Sequence, residues 1–248
     1  MNLTGAVAVV TGGGTGIGRA VARSLAAAGA EVAVTYAHSA AEAKATAAEI
    51  GALAVPLNVG DETQVRAAAH RVLRELGRVD VLVNNAARTH AVEHADLDGL
   101  TDAMWHEILD VNVVGPYRCV RALAPALRAA RGAVVNVSSI SAYRAGGSSI
   151  AYGVSKAALL QLTRNLAAAL APEVRVNAVA PGTVDTRWQT SLHGESGFAT
   201  RRAAEEPQIP LGRVATPEHV AQAVLGLLTM DDVTGETIIV DGGKHVRY

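Results

Sequence analysis

Tyr152 and Lys156 stand four residues apart within residues 138–156, SSISAYRAGGSSIAYGVSK. On a helix that spacing puts a phenol and an ammonium on one face. A phenol with a pKa near ~10 is a poor acid–base catalyst at neutral pH. An ammonium held ~4–5 Å away, at an effective dielectric near ~20, favours the phenolate by about 3–4 kcal/mol before desolvation is counted. That would lower the pKa by roughly two to three units, into a useful range. Ser138, Ser139 and Ser141 precede the pair, and a hydroxyl among them would hold the substrate oxygen that the tyrosine protonates or deprotonates. A bare Tyr-x-x-x-Lys is most often an ordinary surface helix, so the surrounding chain decides.

The elements needed to position such a group are written around it. Residues 133–137, AVVNV, form an uncharged, valine-rich run that reads as a buried strand. From Ala151 onward, apolar residues recur at three and four, as in a helix. The serines therefore lie at a strand's carboxyl end, where parallel sheets open a ligand crevice. Near the N-terminus, strand 6–10 runs into TGGGTGIG (11–18) and then an amphipathic helix closed by Gly29. Such a glycine turn lets backbone approach a pyrophosphate at the positive end of a helix. Further strands are predicted at 31–35, 53–57, 79–83, 174–179 and 237–240. The fold class is α/β: a doubly wound parallel sheet of about seven strands, with helices on both faces.

Composition bounds the rest. The 248 residues suit one domain spanning 1–248. Half are hydrophobic and 18% are charged, and the net charge is -1, which gives no electrostatic case for nucleic acid or a membrane surface. The single cysteine, Cys119, excludes an internal disulfide and sits in an apolar run, as a core residue would. The first strand begins close to Met1 and no long uncharged apolar run follows, so a cytoplasmic protein is expected.

Ser139, then Tyr152 thirteen residues on, then Lys156, resembles the single-domain branch of the short-chain dehydrogenase/reductase family. The resemblance extends over essentially the whole chain, implies a Rossmann fold, and favours Ser139 over its neighbours as the substrate-orienting serine. It makes Tyr152 the general acid/base and Lys156 the group that also grips the nicotinamide ribose. Asn112, in NVVG, resembles a fourth residue that holds a water linking Lys156 to solvent. Gly12, Gly16 and Gly18 fit the family's TGxxxGxG spacing, with Ile17 near the nicotinamide side. Asn58 and Val59 would meet the adenine, Asn58 through its amide oxygen where the family usually has Asp. Asn85 and Ala86 would line the adenosine ribose, within an NNAG-like motif whose glycine is Ala87 here. Pro181, Gly182, Val184 and Thr186 match PGxxxT, which holds the carboxamide.

Strand 31–35 ends in Tyr36, with no carboxylate before Glu42. Such a carboxylate would take the ribose hydroxyls of NAD and repel a 2′-phosphate. Its absence favours NADP(H) over NAD(H), with Thr15, His38 and Ser39 offered in place of the Arg or Lys common in the family. Ser39 and Glu42 also have the spacing of a helix N-cap pair. The expected substrate is a 3-oxoacyl thioester or related ketone; the alternative is a sugar, polyol or small-alcohol dehydrogenase. A catalytically silent nucleotide sensor would be expected to have lost Tyr152 or Lys156, and both remain. Arg118, Arg121, Arg128 and Arg131 form either a solvated face or a docking site for an acyl carrier protein. The resemblance also implies a homotetramer. Residues 187–210 are polar and weakly periodic, as in a loop-like lid bringing Arg187, Trp188, His193 and Phe198 toward substrate. His90 and His94, in the polar loop 88–101, lack the partners that would make a metal site.

Overall fold

Short valine-rich runs form all seven strands of the computed structural model, which describes residues 1–247. They are β1 (Val7–Val10), β2 (Glu31–Tyr36), β3 (Leu53–Pro56), β4 (Val81–Asn84), β5 (Ala133–Val137), β6 (Arg175–Pro181) and β7 (Thr237–Val240). Every pairing is parallel, in the order β3-β2-β1-β4-β5-β6-β7. The helices are α1 (Gly16–Ala27), α2 (Ala40–Ile50), α3 (Glu62–Leu76), α4 (Asp102–Leu109), α5 (Gly115–Ala130), α6 (Ile150–Leu170), α7 (Arg187–Glu205) and α8 (Pro217–Thr229).

The strands look uniformly apolar because both faces of the sheet are covered. Successive side chains alternate between two cores. Ala8 and Val10 of β1 pack with Val21 and Leu25 of α1 and Val224 and Leu228 of α8. Val7 and Val9 face the other way, toward Val72 of α3, Leu123 and Leu127 of α5 and Leu166 of α6. Each such side chain contributes about 1.5–3 kcal/mol by leaving water. β5 alternates likewise, with Val135 in the first core and Val134 in the second. Its one polar residue, Asn136, is fully buried and belongs to a chain of hydrogen bonds. Asn84 Nδ2 donates to Asn136 Oδ1 at 2.9 Å, Asn136 Nδ2 to Thr163 Oγ1 at 2.9 Å, and Thr163 Oγ1 to Leu159 O at 2.8 Å. β4, β5 and α6 are thereby fixed in one register.

The chain winds outward from β1 in both directions, so the switch point lies between β1 and β4, and the carboxyl ends of the strands open there. One sequence expectation needs correction. Residues 187–205 form α7 rather than a loop, interrupted only at Gly194, whose φ is 70°. The polar composition hid it, because one side chain of this helix, Phe198, carries much of its burial (5% exposed). Residues 110–114 form a π-helical turn between α4 and α5.

Candidate active site

The strand ends and the helices that follow them enclose a groove of about 550 Å³, within the range of small-molecule sites. Its floor is the turn after β1. Gly12 and Gly16 have φ of 63° and 50°, a region costly for other residues. A Cβ on Gly18 would lie 2.2 Å from Gly12 O, so Gly18 serves the packing of the turn. It stands behind the groove, whereas Gly12, Gly14, Thr15, Gly16 and Ile17 line it.

Thr11, which the sequence reading passed over, ties this turn to β4. Its hydroxyl accepts from the Asn85 and Ala86 N–H groups at 2.9 and 3.0 Å. Asn85 Nδ2 returns a bond to Thr11 O at 2.9 Å. Asn85 and Ala86 are thereby fixed on the groove wall opposite Pro181, Gly182, Val184 and Thr186. Asn58 and Val59 line the far end, with Tyr36, His38 and Ser39. The Asn58 amide oxygen already accepts from Gly60 N–H at 3.0 Å, so one lone pair and the amide N–H₂ remain for a ligand.

At the other end stand Ser139, Tyr152 and Lys156, brought together by β5 and α6. Ser149 is the N-cap of α6 and accepts from Tyr152 N–H at 3.3 Å. That bond fixes where the helix starts, and with it the face that Tyr152 and Lys156 share. Lys156 is 2% exposed. Its Nζ donates to Val137 O at 2.8 Å and lies 5.6 Å from the centre of the Tyr152 ring. The serines separate cleanly. Ser138 donates to Lys156 O at 2.9 Å and is buried, a bracing contact between β5 and α6. Ser139 faces the groove on the side of Tyr152; its Oγ donates to Ser141 Oγ at 3.2 Å and accepts from Ser141 N–H at 3.1 Å.

The protonation states differ from the sequence expectation. Burial pushes the Tyr152 phenol up to about 12, and the neighbouring Ser139 hydroxyl only partly offsets this. Burial also pulls Lys156 down to about 8. Low polarity penalises both charged forms, and this outweighs the stabilisation of the phenolate expected from the spacing. The tyrosine is therefore a neutral acid at pH 7.

Asn112 lies in the π-helical turn and is fully buried. Its side chain is committed. Oδ1 accepts from Arg88 N–H at 2.8 Å, while Nδ2 donates to Arg88 O at 2.9 Å and Ser155 Oγ at 3.0 Å. Ser155 in turn donates to Tyr152 O at 2.7 Å. The side chain thus braces the loop after β4 against the helix of Tyr152, with both of its amide N–H groups used.

Among the residues of α7, Trp188 stands 6.3 Å from the Tyr152 ring, centre to centre, and His193 lines the groove. Phe198 is buried and anchors α7, so it does not face substrate. Arg187 reaches Ser39 and Glu42, and Ser39 makes no side-chain capping bond to α2. The N-cap role expected of it is displaced by this long-range contact. His90 is paired with Glu107 at 2.7 Å. Among the described residues, no three His, Cys, Asp or Glu side chains converge as metal ligands. Cys119 is buried and its thiol is pushed up to about 12 by burial, as suits a core residue.

A dinucleotide fits this donor set. The glycine turn exposes backbone where a pyrophosphate would lie, at the start of α1. Lys156, bonded once, retains donors for ribose hydroxyls. A family model described as enoyl-(acyl carrier protein) reductase matches residues 12–245. A Streptomyces violaceoruber protein, named for a ketoacyl-reductase role in the granaticin polyketide synthase, is 45% identical over 242 residues, covering 97% of this chain and 96% of its own. Galactitol 2-dehydrogenase of Agrobacterium fabrum is 34% identical over 262 residues, 98% of this chain and 99% of its own. Among solved structures, the 3-ketoacyl-(acyl-carrier-protein) reductase of Brucella melitensis, complexed with NADH, superposes with a TM-score of 0.88 at 32% identity, covering 98% of this chain and 99% of that one.

Proposed function

The chain belongs to the short-chain dehydrogenase/reductase family of oxidoreductases, and from that premise we propose that it reduces 3-oxoacyl thioesters or related ketones with NADPH. The observation that carries this reading is Tyr152 with buried Lys156 5.6 Å from its ring centre and Ser139 beside them, all lining one end of a dinucleotide-sized groove.

When bound, the nicotinamide supplies the hydride. The chain's own residues handle the oxygen. Ser139 donates a hydrogen bond to the carbonyl oxygen and sets it beside the phenol. Tyr152 gives its proton to that oxygen as the alcohol forms. The phenolate left behind is stabilised by the Lys156 ammonium, whose charge matters more in a site this poor in water. Lys156 also holds the nicotinamide ribose through its free N–H groups. Asn112 is a positioning residue, acting through Arg88 and Ser155 on the helix of Tyr152. An acid of this strength suits reduction; oxidation would first require the phenolate.

The preference for NADP(H) rests on the uncharged end of β2, where Tyr36, Ala37, His38 and Ser39 line the groove. α7 acts as a substrate lid, with Trp188 over the catalytic end. Exposed Val114 and Tyr117 near and on α5, with Val154 on α6, support assembly into a homotetramer. Docking of an acyl carrier protein would use Arg128 and Arg121. Arg118 is less available, since it is tied to Asp110 and Gly60 O. The galactitol dehydrogenase relative supports a second reading, as a polyol or sugar dehydrogenase.

Cofactor absorbance with NADPH and NADH in parallel tests the proposal, on an acetoacetyl thioester, a simple ketoester, a ketose and a cyclic diketone. Oxidation of NADPH by the thioester or ketoester is expected. Turnover confined to the ketose, or to NADH, would overturn the substrate or cofactor part of the proposal.

A further inference from the structure

We infer that Arg187, at the start of the lid helix α7, binds the 2′-phosphate of NADP(H) together with Ser39, closing a clasp across the dinucleotide groove. The inference rests on the NADP(H) reading above and names the group that would carry it.

The two walls of the groove are joined by one side chain. Arg187 Nη2 donates to Ser39 Oγ at 2.9 Å, and Nη1 is paired with Glu42, residues that come almost 150 positions earlier. Arg187 and Ser39 both line the groove, beside Tyr36 and His38 at the end of β2. Thr186, immediately before the arginine, already overlies the glycine turn. A Cβ added to Gly16 would lie 3.4 Å from the Thr186 methyl. The base of the clasp is therefore seated against the cofactor turn, and the guanidinium is carried to the far wall.

The chemistry of that far wall suits a phosphate. Ser39 accepts from Arg187 and makes no capping bond to α2, so its hydroxyl proton is free to donate. The guanidinium has five N–H donors, and two are used here. The carboxylate that would repel a phosphate there is Glu42, and Arg187 neutralises it. The Arg187 and Glu42 side chains are 55% and 41% exposed. A dianionic phosphate, a strong bidentate partner for arginine, takes the remaining N–H donors of the guanidinium, while the pair with Glu42 keeps that carboxylate neutralised. Because Trp188 is the next residue and approaches Tyr152, a phosphate held by Arg187 also fixes the start of the lid over the catalytic end.

The test titrates ligand-free full-length protein by calorimetry with 2′,5′-ADP and with 5′-AMP, which differ only by the 2′-phosphate. The wild type is expected to bind 2′,5′-ADP at least tenfold more tightly. Arg187→Ala is expected to lose at least tenfold for 2′,5′-ADP and less than twofold for 5′-AMP. Arg187→Lys, which keeps the charge, should retain part of the gain. Glu42→Gln, which frees the guanidinium, should tighten 2′,5′-ADP a few fold. A wild type without preference for 2′,5′-ADP would overturn the NADP(H) reading itself, and this inference with it. A wild type that prefers 2′,5′-ADP, with Arg187→Ala unchanged or equally weakened for both ligands, would overturn the clasp alone.

Discussion

Lys156 is the residue whose environment has the largest consequence away from the reaction. Its folded pKa of about 8 lies below the ordinary lysine value of 10.5, so the folded chain binds fewer protons than the unfolded chain between those values. Stability then rises with pH across that window, and below about 8 the fold bears the cost of a buried ammonium. In the ligand-free protein, Lys156→Met should therefore be more stable than wild type at pH 7, by roughly 1–3 kcal/mol. The difference should vanish above about pH 10.5, and denaturant melts at both pH values would show it. Equal stability at pH 7 would mean that the ammonium is not strained by burial. The same lysine should shape the reaction: kcat/KM for reduction should hold from pH 6 to 7.5 and fall as pH rises through about 8, when the ammonium is lost. A flat profile to pH 10 would remove Lys156 from the charge-stabilising role. The spacing of Tyr152 and Lys156 was legible in the sequence, but their protonation states were not. Desolvation depends on Val137, Ser138 and the lid, which approach only in the fold.

The elements show the same division. Strands of valine and alanine announce themselves, and the glycine turn after β1 is as plain. Asn136 looks like an interruption of a buried strand until Asn84 and Thr163 are seen on either side. Its replacement by alanine strands a buried donor on Asn84 and a buried acceptor on Thr163, at about 1–3 kcal/mol. The thermal midpoint should fall by roughly 2–10 °C for a domain of this size. An unchanged midpoint would mean that the network does not fix the register of β4, β5 and α6. The lid helix was hidden for the opposite reason. α7 is largely polar and exposed, so no apolar stripe marks its period, and beside its local pairs Arg201–Glu205 and Arg202–Glu206 it makes ties to distant partners. Arg202 meets Asp185 and Arg187 meets Glu42, pairs that no local pattern in the sequence reveals. The π-helical turn at Asn112 was equally silent, since its cause is the shared hydrogen bonding of Asn112 with Arg88 and Ser155.

At the scale of the whole molecule, the sheet order and the switch point follow from alternating strands and helices, and these the sequence carried. The surface is harder to read, because an exposed residue has few constraints written beside it. The proposed tetramer should scatter light as a particle of about 102 kDa, four chains of 25.5 kDa; a 25.5 kDa particle would contradict it. The arginines of α5 were read as one face, yet they are not equivalent. Arg118 is held by Asp110, and Arg121 pairs with Glu62 at 2.9 Å and covers the Tyr117 ring. Arg128 is exposed and donates to Ala169 O. If an acidic carrier docks there, Arg121→Glu with Arg128→Glu should cut kcat/KM for a carrier-linked substrate by about tenfold, while a free thioester changes less than twofold. Equal turnover of the carrier-linked substrate would remove the docking surface.

The most direct measurement compares wild type with Tyr152→Phe in two assays on the same preparation: NADPH binding by fluorescence, and NADPH oxidation with an acetoacetyl thioester. Removing one hydroxyl leaves the ring, the lysine and the groove in place. The expected result is NADPH affinity within about threefold of wild type and turnover lowered by at least about a thousandfold, the upper part of what proton transfer supplies. Turnover within tenfold of wild type, with binding intact, would contradict the claim that Tyr152 is the acid.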